Sequence, residues 1–517
     1  MLVLLALLAG AAVTVGYAVG HDDADKPEVS EDRPPPVVIV VFDEFPSDTL
    51  IAPDGRIDAA RYPNFAALAR TSTWFRNGQS IYDSTFKAVP AILDARMPRS
   101  GTAPDVRSHQ PSVFHLMDRL GYDVIKVESG TAVCPPRICS GARSRRPGVL
   151  RRLAGGGRPA RLHRWIGAIR NRPRPTFYFH HALIPHEPWI YLPSGRQSRP
   201  AGEDPIQGIN RPIGFHDPDL TNHNHLRHLL QVGYTDHELG LLIRRMRRTG
   251  IFERALLVVT ADHGYSFEVG VQERRQVSET NFEQIAGVPL FVKAPSQTDG
   301  RVDDSLVRTI DIVPTVADLL GTRLFWRHDG RSAFSEATRE RDRLSMSRRD
   351  FSRVITRTRG EFERRRHELR LWRARLFGTG PESELVFGDP WASAYRIGPH
   401  RELVGQAVRR TAVAQPSRVR AELANAALVA RVDRSNPILP TRVTGRLVGS
   451  PRGVKRDLAV AVNGRIRATG RSFHLRGRRA EFLSLVVPES ALREGSNHVE
   501  LLEVRPGGRL VSLVRAP

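Results

Sequence analysis

Val37-Val-Ile-Val-Val-Phe42 is followed at once by Asp43-Glu44, and this stretch decides the fold class. An unbroken apolar, mostly β-branched run reads as a strand buried on both faces, as in a parallel sheet covered by helices. Similar short runs recur at residues 124–127, 176–179, 256–260 and 289–292. Amphipathic patterns lie between them at 63–69, 113–120 and 226–246. In the last of these, Leu226, Leu229, Leu230, Leu239, Leu242, Ile243 and Met246 recur at three- and four-residue spacing. Strands alternating with helices predict an α/β domain over residues 37–330, built on a mostly parallel sheet flanked by helices. Beyond it we expect a helical or irregular connector over 331–420. From residue 421 short alternating strands take over, with the hairpin signal Asn463-Gly464, and predict a small β-sandwich to residue 517.

With 517 residues and 40% hydrophobic content, the chain can fill two or three domains, which excludes disorder throughout. Two cysteines exclude a multi-disulfide framework and a multi-cysteine metal cluster. Lys plus Arg (78) against Asp plus Glu (55) leaves +23, a charge that calls for an anionic partner. No nucleic-acid recognition motif accompanies it, so no nucleic-acid partner is expected. Much of the excess sits in residues 141–174, with eleven Arg and no acid, and 351–376, with nine Arg and three Glu. Both read as basic surface segments facing anionic headgroups or polymer.

Residues 2–19 are eighteen apolar or small residues in a row, followed by the acidic flank His21-Asp22-Asp23-Ala24-Asp25. We expect a transmembrane anchor over 1–20, a linker over 21–36 and export of the chain beyond them, with a cleaved signal peptide as the alternative. The localisation expected is therefore the cell membrane, with the folded domain extracytoplasmic. The missing basic segment before the apolar run points to further transmembrane segments upstream in a longer precursor.

Ligands in such sheets bind beyond the carboxyl ends of the strands. There the sequence places Asp43 and Glu44 after the first run, Asp262, His263 and Gly264 after 256–260, and His180, His181 and His186 after 176–179. Tyr82-Asp83-Ser84-Thr85-Phe86-Lys87 is a hydroxyl-rich turn entering a helix, whose free N–H groups favour an anion. Each piece alone has an ordinary explanation as a helix cap or surface turn. Gathered at one edge, carboxylates and imidazole suit a divalent metal, which activates a hydroxyl and neutralises a bound phosphate or sulfate.

On Asp43-Glu44, Val-Val-Thr-Ala-Asp262-His263-Gly264 and Val307-Arg-Thr-Ile-Asp311-Ile-Val-Pro314-Thr315, the chain resembles the sulfatase-like branch of the alkaline phosphatase superfamily over residues 37–321. The segment from Asp311 to Thr315 looks like a packing marker of that fold. The Cys/Ser-x-Pro-x-Arg motif of sulfatases proper is absent, and the turn at Thr85 resembles instead that of phosphoethanolamine and lipoteichoic-type transferases. The resemblance implies Thr85 as nucleophile, with Ser84 competing. It implies one divalent ion (zinc, manganese, magnesium or calcium) held by Glu44, Thr85, Asp262 and His263, with Asp43 adding or orienting a ligand. It implies that His186 or His181 contacts the transferred group or its leaving oxygen.

His180 reads as a core residue, and Lys87 as either an anion contact or a solvated helix residue. Arg76 and Lys293 have no claim beyond charge. Outside the cytoplasm Cys134 and Cys139 are expected to pair as a disulfide, and the loop over 192–218 to build much of the pocket. The implied activity is that of a membrane-anchored extracytoplasmic hydrolase or transferase acting on a phosphate or sulfate ester of an envelope lipid or glycan through a covalent Thr intermediate. The alternative, motivated by Asp-Glu where sulfatases carry Asp-Asp, is a non-catalytic envelope protein binding anionic wall polymer.

Overall fold

The computed structural model describes residues 34–139, 157–202, 204–210, 216–271, 274–408, 419–451 and 453–513. The expected anchor over 1–20, most of the linker over 21–36 and residues 141–156 of the first basic segment lie outside these. Among the described residues no helix is long and apolar enough to cross a membrane.

The central sheet contains β1 (Val37–Asp43), β2 (Thr73–Phe75), β3 (Asp123–Val127), β4 (Thr176–Pro185), β5 (Leu256–Ala261), β6 (Leu290–Lys293) and β7 (Arg301–Asp303), in the spatial order β3-β4-β1-β5-β6-β2-β7. Four neighbouring pairs are parallel, and β6 runs antiparallel to both of its neighbours. The expected α/β class with a mostly parallel sheet therefore holds. β1 is apolar on both faces because it has a core on each side. Val38, Val40 and Phe42 pack towards helices α1 (Pro63–Ala69) and, further along, the long Pro218–Arg248 helix. Val37, Ile39 and Val41 pack towards α2 (Thr85–Asp94), α3 (Val113–Arg119) and the Ile312–Leu319 helix.

The register sets Phe42 beside Ala182 of β4 and Ala261 of β5, so the three central strands end at one edge. β4 runs longer than its apolar pattern, ten residues to Pro185, because the polar His180 and His181 are also buried. The Pro218–Arg248 helix, named α4 here, likewise starts before its leucine pattern. Asp217 caps it by accepting from the Leu220 N–H at 3.0 Å, and Pro218 occupies the first turn.

Past the sheet, Arg343–Ser347 (β8) and Val354–Thr358 (β9) form an antiparallel hairpin that the expected helical or irregular connector did not include. It leads into α5 (Arg359–Phe377). The reading of 351–376 as a basic surface segment fails on one face of this helix. Arg366 is 2% exposed and donates to Asp48 Oδ2 at 3.0 Å, Arg370 donates to Asp48 Oδ1 at 3.1 Å, and Arg373 donates to the Ile51 carbonyl at 2.6 Å. These three dock α5 on the loop after β1.

The C-terminal part holds two four-stranded antiparallel sheets. Asn463 and Gly464 have φ of 51° and 75° and link Val462 to Arg465, giving the two left-handed residues that a tight hairpin turn needs. Val443, Leu458, Leu483 and Leu485 of these sheets share a core with Leu226, Leu229 and Leu230 of α4. Cys134 and Cys139 are disulfide-bonded.

Candidate metal centre

Three carboxylates and three imidazoles meet at the common end of β4, β1 and β5, and all six side chains are buried. Asp43 ends β1 and Glu44 follows it in a left-handed conformation, φ 61°. The Asp262 Oδ1 atom accepts from the backbone N–H of His263 at 2.6 Å and of Glu44 at 3.3 Å. That leaves Oδ2 free to accept from the hydroxyl of Thr85, 2.7 Å away. Thr85 is the first residue of α2, and its Oγ1 also lies 3.4 Å from both Asp43 Oδ1 and His263 Nε2.

The imidazoles share one arrangement. Nδ1 of His181, His186 and His263 sits 2.8, 2.6 and 2.8 Å from the backbone carbonyls of Ser129, Glu187 and Gly264. With Nδ1 donating, each Nε2 is left with a lone pair, which in His186 accepts from Arg275 Nη2 at 3.1 Å, and in all three rings Nε2 is turned towards the carboxylates. It lies 3.7 Å from Asp262 for His181 and His263, and 3.5 Å from Glu44 for His186. Metal-binding histidines are held this way, by a hydrogen bond at the nitrogen that does not ligate.

The charges agree with that geometry. Burial, then the charge of Asp262, pushes the Asp43 carboxyl up. Burial acts on Asp262 in the same direction, but His263, His181 and the Thr85 hydroxyl outweigh it and hold Asp262 down. Burial would lower His181 and His263, yet their carboxylate neighbours raise both. Burial takes His186 down to about 4. Carboxylates this close and this dry call for a cation, and mixed O/N donors fit a divalent one. Ligand atoms of Asp43, Asp262 and His263 lie within 4.8 Å of one another, and so do those of Asp43, Glu44 and His186. Asp43 is common to both groups, so of the ligand set implied by sequence, Glu44 falls in one cluster and Asp262 and His263 in the other, while the Thr85 hydroxyl meets the Asp43, Asp262 and His263 cluster.

Residues 160–322 match the Sulfatase family model. The matched segment supplies His181, His186, Asp262 and His263, whereas Asp43, Glu44 and Thr85 lie upstream of it. Arylsulfatase K of Bos taurus is 30% identical over 90 residues, 17% of this chain and 16% of that protein. A sulfatase of Formosa agariphila is 26% identical over 106 residues, 20% of each. The chain thus matches only a fifth or less of these curated relatives' own lengths. Among solved structures, the phosphonate monoester hydrolase of Agrobacterium radiobacter is 16% identical, covers 64% of this chain and 82% of its own, and has a TM-score of 0.42.

Within and around the sulfatase-matching segment, other candidates fall into place. The His180 ring stacks on Trp165 with centroids 5.1 Å apart, a core role. Ser84 is the residue before α2, and it is the Thr85 hydroxyl that reaches Asp262. Lys87 is no anion contact, because its Nζ donates to the carbonyls of Arg99 and Thr102, 2.6 Å each, and so ties down that loop. Arg76 pairs with Asp304 and Lys293 donates to the Glu253 carbonyl, both outside the site. Asp311 accepts from Arg341 at 2.6 Å and from the Arg331 N–H at 2.9 Å, a packing role.

Two arginines of the site escaped the sequence reading. Arg158 donates to the carbonyls of His186 and Glu187 at 2.6 Å each. Arg275 contacts Glu44 Oε1 through Nε, and its Nη2 lies 3.1 Å from His186 Nε2. Nothing in their local spacing singles them out from the many other arginines of this basic chain.

Proposed function

We propose that the protein is a metal-dependent hydrolase or transferase of the sulfatase-like kind, acting on a phosphate or sulfate ester with Thr85 as nucleophile. The observation that carries this reading is the Thr85 hydroxyl, 2.7 Å from Asp262 Oδ2 and 3.4 Å from both Asp43 and His263, at the mouth of a carboxylate and imidazole cluster. Asp43, Glu44, Asp262, His263 and His186 would hold the metal, which when bound lowers the pKa of a neighbouring hydroxyl and offsets the charge of the ester.

Thr85 Oγ1, whose hydroxyl is oriented by its hydrogen bond to Asp262 Oδ2, attacks the phosphorus or sulfur and releases its proton to solvent water. The bond to the leaving oxygen breaks, and that oxygen takes a proton from water. Water or an acceptor hydroxyl then attacks the intermediate and loses its proton to solvent as Thr85 Oγ1 departs and regains one, and the choice of attacker separates hydrolysis from transfer. The N-terminus of α2 offers backbone N–H groups to the ester oxygens. The buried, convergent donor set supports an enzyme over a non-catalytic wall-polymer binder.

The substrate we infer is an anionic ester on an envelope lipid or glycan, met by an extracytoplasmic domain anchored through the apolar run at residues 2–19. Turnover of aryl phosphate, aryl sulfate and aryl phosphonate esters with added zinc, manganese, magnesium or calcium tests the chemistry. Thr85→Ala should lower kcat by roughly 10³-fold or more. It should also abolish the covalent adduct that intact-mass analysis detects after incubation with envelope lipid extract. An adduct that persists in Thr85→Ala would eliminate Thr85 as nucleophile.

A further inference from the structure

Among the ligand candidates, Glu44 is the one with a left-handed backbone, φ 61°. That conformation is strained for a non-glycine residue and persists only where neighbours hold it. One hold is its N–H on Asp262 Oδ1, 3.3 Å away. The other comes from α4, where the Nε2 atom of His228 lies 3.1 Å from the Glu44 carbonyl oxygen. His228 is fully buried, stacked against Tyr265 at 6.2 Å and edge-on to Trp189 at 6.0 Å. Its Nδ1 makes no hydrogen bond among the described residues, so the ring proton sits on Nε2 and donates to Glu44.

We propose that His228 is a positioning residue, clamping the left-handed turn after β1 so that the Glu44 carboxylate faces the metal site. The clamp stands on α4, whose Leu226, Leu229 and Leu230 lie in the core shared with the C-terminal sheets. Docking of those sheets thereby supports the geometry of a ligand on the far side of the helix. This inference rests on the metal-dependent reading above.

Titration calorimetry of the full chain with Zn²⁺ and with Mn²⁺, beside melting curves of the metal-free protein, tests it. His228→Phe, which fills the space without a donor, should weaken metal binding about 10- to 100-fold, while His228→Gln, whose amide reaches the same carbonyl, should stay within about threefold of wild type. Wild-type affinity in His228→Phe, or equal weakening in His228→Gln, overturns the proposal. Should His228→Phe fail to fold, His228→Asn replaces it, with an amide too short to reach Glu44 and the same loss expected. A wild-type protein that binds neither ion would overturn the metal reading and this inference together. Binding by wild type with indifferent variants would overturn the inference alone.

Discussion

Behind His263 the chain passes so close to a neighbouring segment that only glycine fits. A Cβ on Gly264 would meet the Gln284 carbonyl oxygen at 1.9 Å, and the Gly264 N–H already bonds the Ile285 carbonyl at 2.8 Å. Gly264→Ala therefore has to push backbone apart, and we expect a loss of about 3 kcal/mol in urea denaturation, with weaker metal binding because His263 moves with it. Titration at single residues gives a second expectation. Burial drives His223 down to about 4 and His180 to about 3, so both stay neutral in the folded protein where an unfolded histidine, near 6.5, would already be charged. Between pH 6.5 and pH 4 the unfolded state binds protons that the folded state does not. Each such residue then lowers stability by about 1.4 kcal/mol per pH unit of acidification. Asp236, pushed up to about 6 mainly by burial, acts in the opposite sense. Comparing wild type with His223→Gln across pH 7, 6 and 5 cancels such shared contributions. The gap between the two should shift by that slope, and a constant gap would remove His223 from the account.

At the scale of elements, α5 shows how composition misleads. Arg366, Arg370 and Arg373 follow one another at four- and three-residue spacing, which is a single helix face. Net charge adds them to exposed arginines such as Arg364 and hides that face. Asp48, buried in the loop after β1, needs them. Arg366→Met should cost about 3–5 kcal/mol because it strips a buried carboxylate of a partner, whereas Arg364→Met should stay within about 0.5 kcal/mol. Equal melting temperatures for the two variants would refute the docking role. The central strands β1, β4 and β5 were readable for the converse reason: burial on both faces leaves an unbroken apolar run that needs no knowledge of neighbours. Where burial falls on polar side chains, as at His180 and His181 in β4, the run ends on paper before the strand does.

Across the whole molecule, α4 lies between two cores. One face meets the central sheet through Leu239, Leu242 and Met246, and the other carries Leu226, Leu229 and Leu230 into the C-terminal sheets. Asp204 reinforces that junction, accepting from Arg442 at 2.6 Å with Arg199 and Arg227 within 4 Å. We expect a single calorimetric unfolding transition for both parts. Asp204→Ala, which leaves Arg227 and Arg442 buried around an empty place, should lower stability by about 3–5 kcal/mol; a separate early transition confined to the C-terminal sheets would show that the parts melt apart. By itself the sequence determined five of the seven strands of the central sheet, their tips and the residue types gathered there, because burial and turn chemistry are written in local pattern, whereas the three-residue strands β2 and β7 are too short to leave one. Only the tertiary structure decided that Thr85 faces Asp262, that Lys87 turns away, that Asp43 joins two clusters of candidate ligands and that Arg275 and His228 attend Glu44. Those relations depend on directions and distances between segments far apart in the chain, which no local spacing encodes.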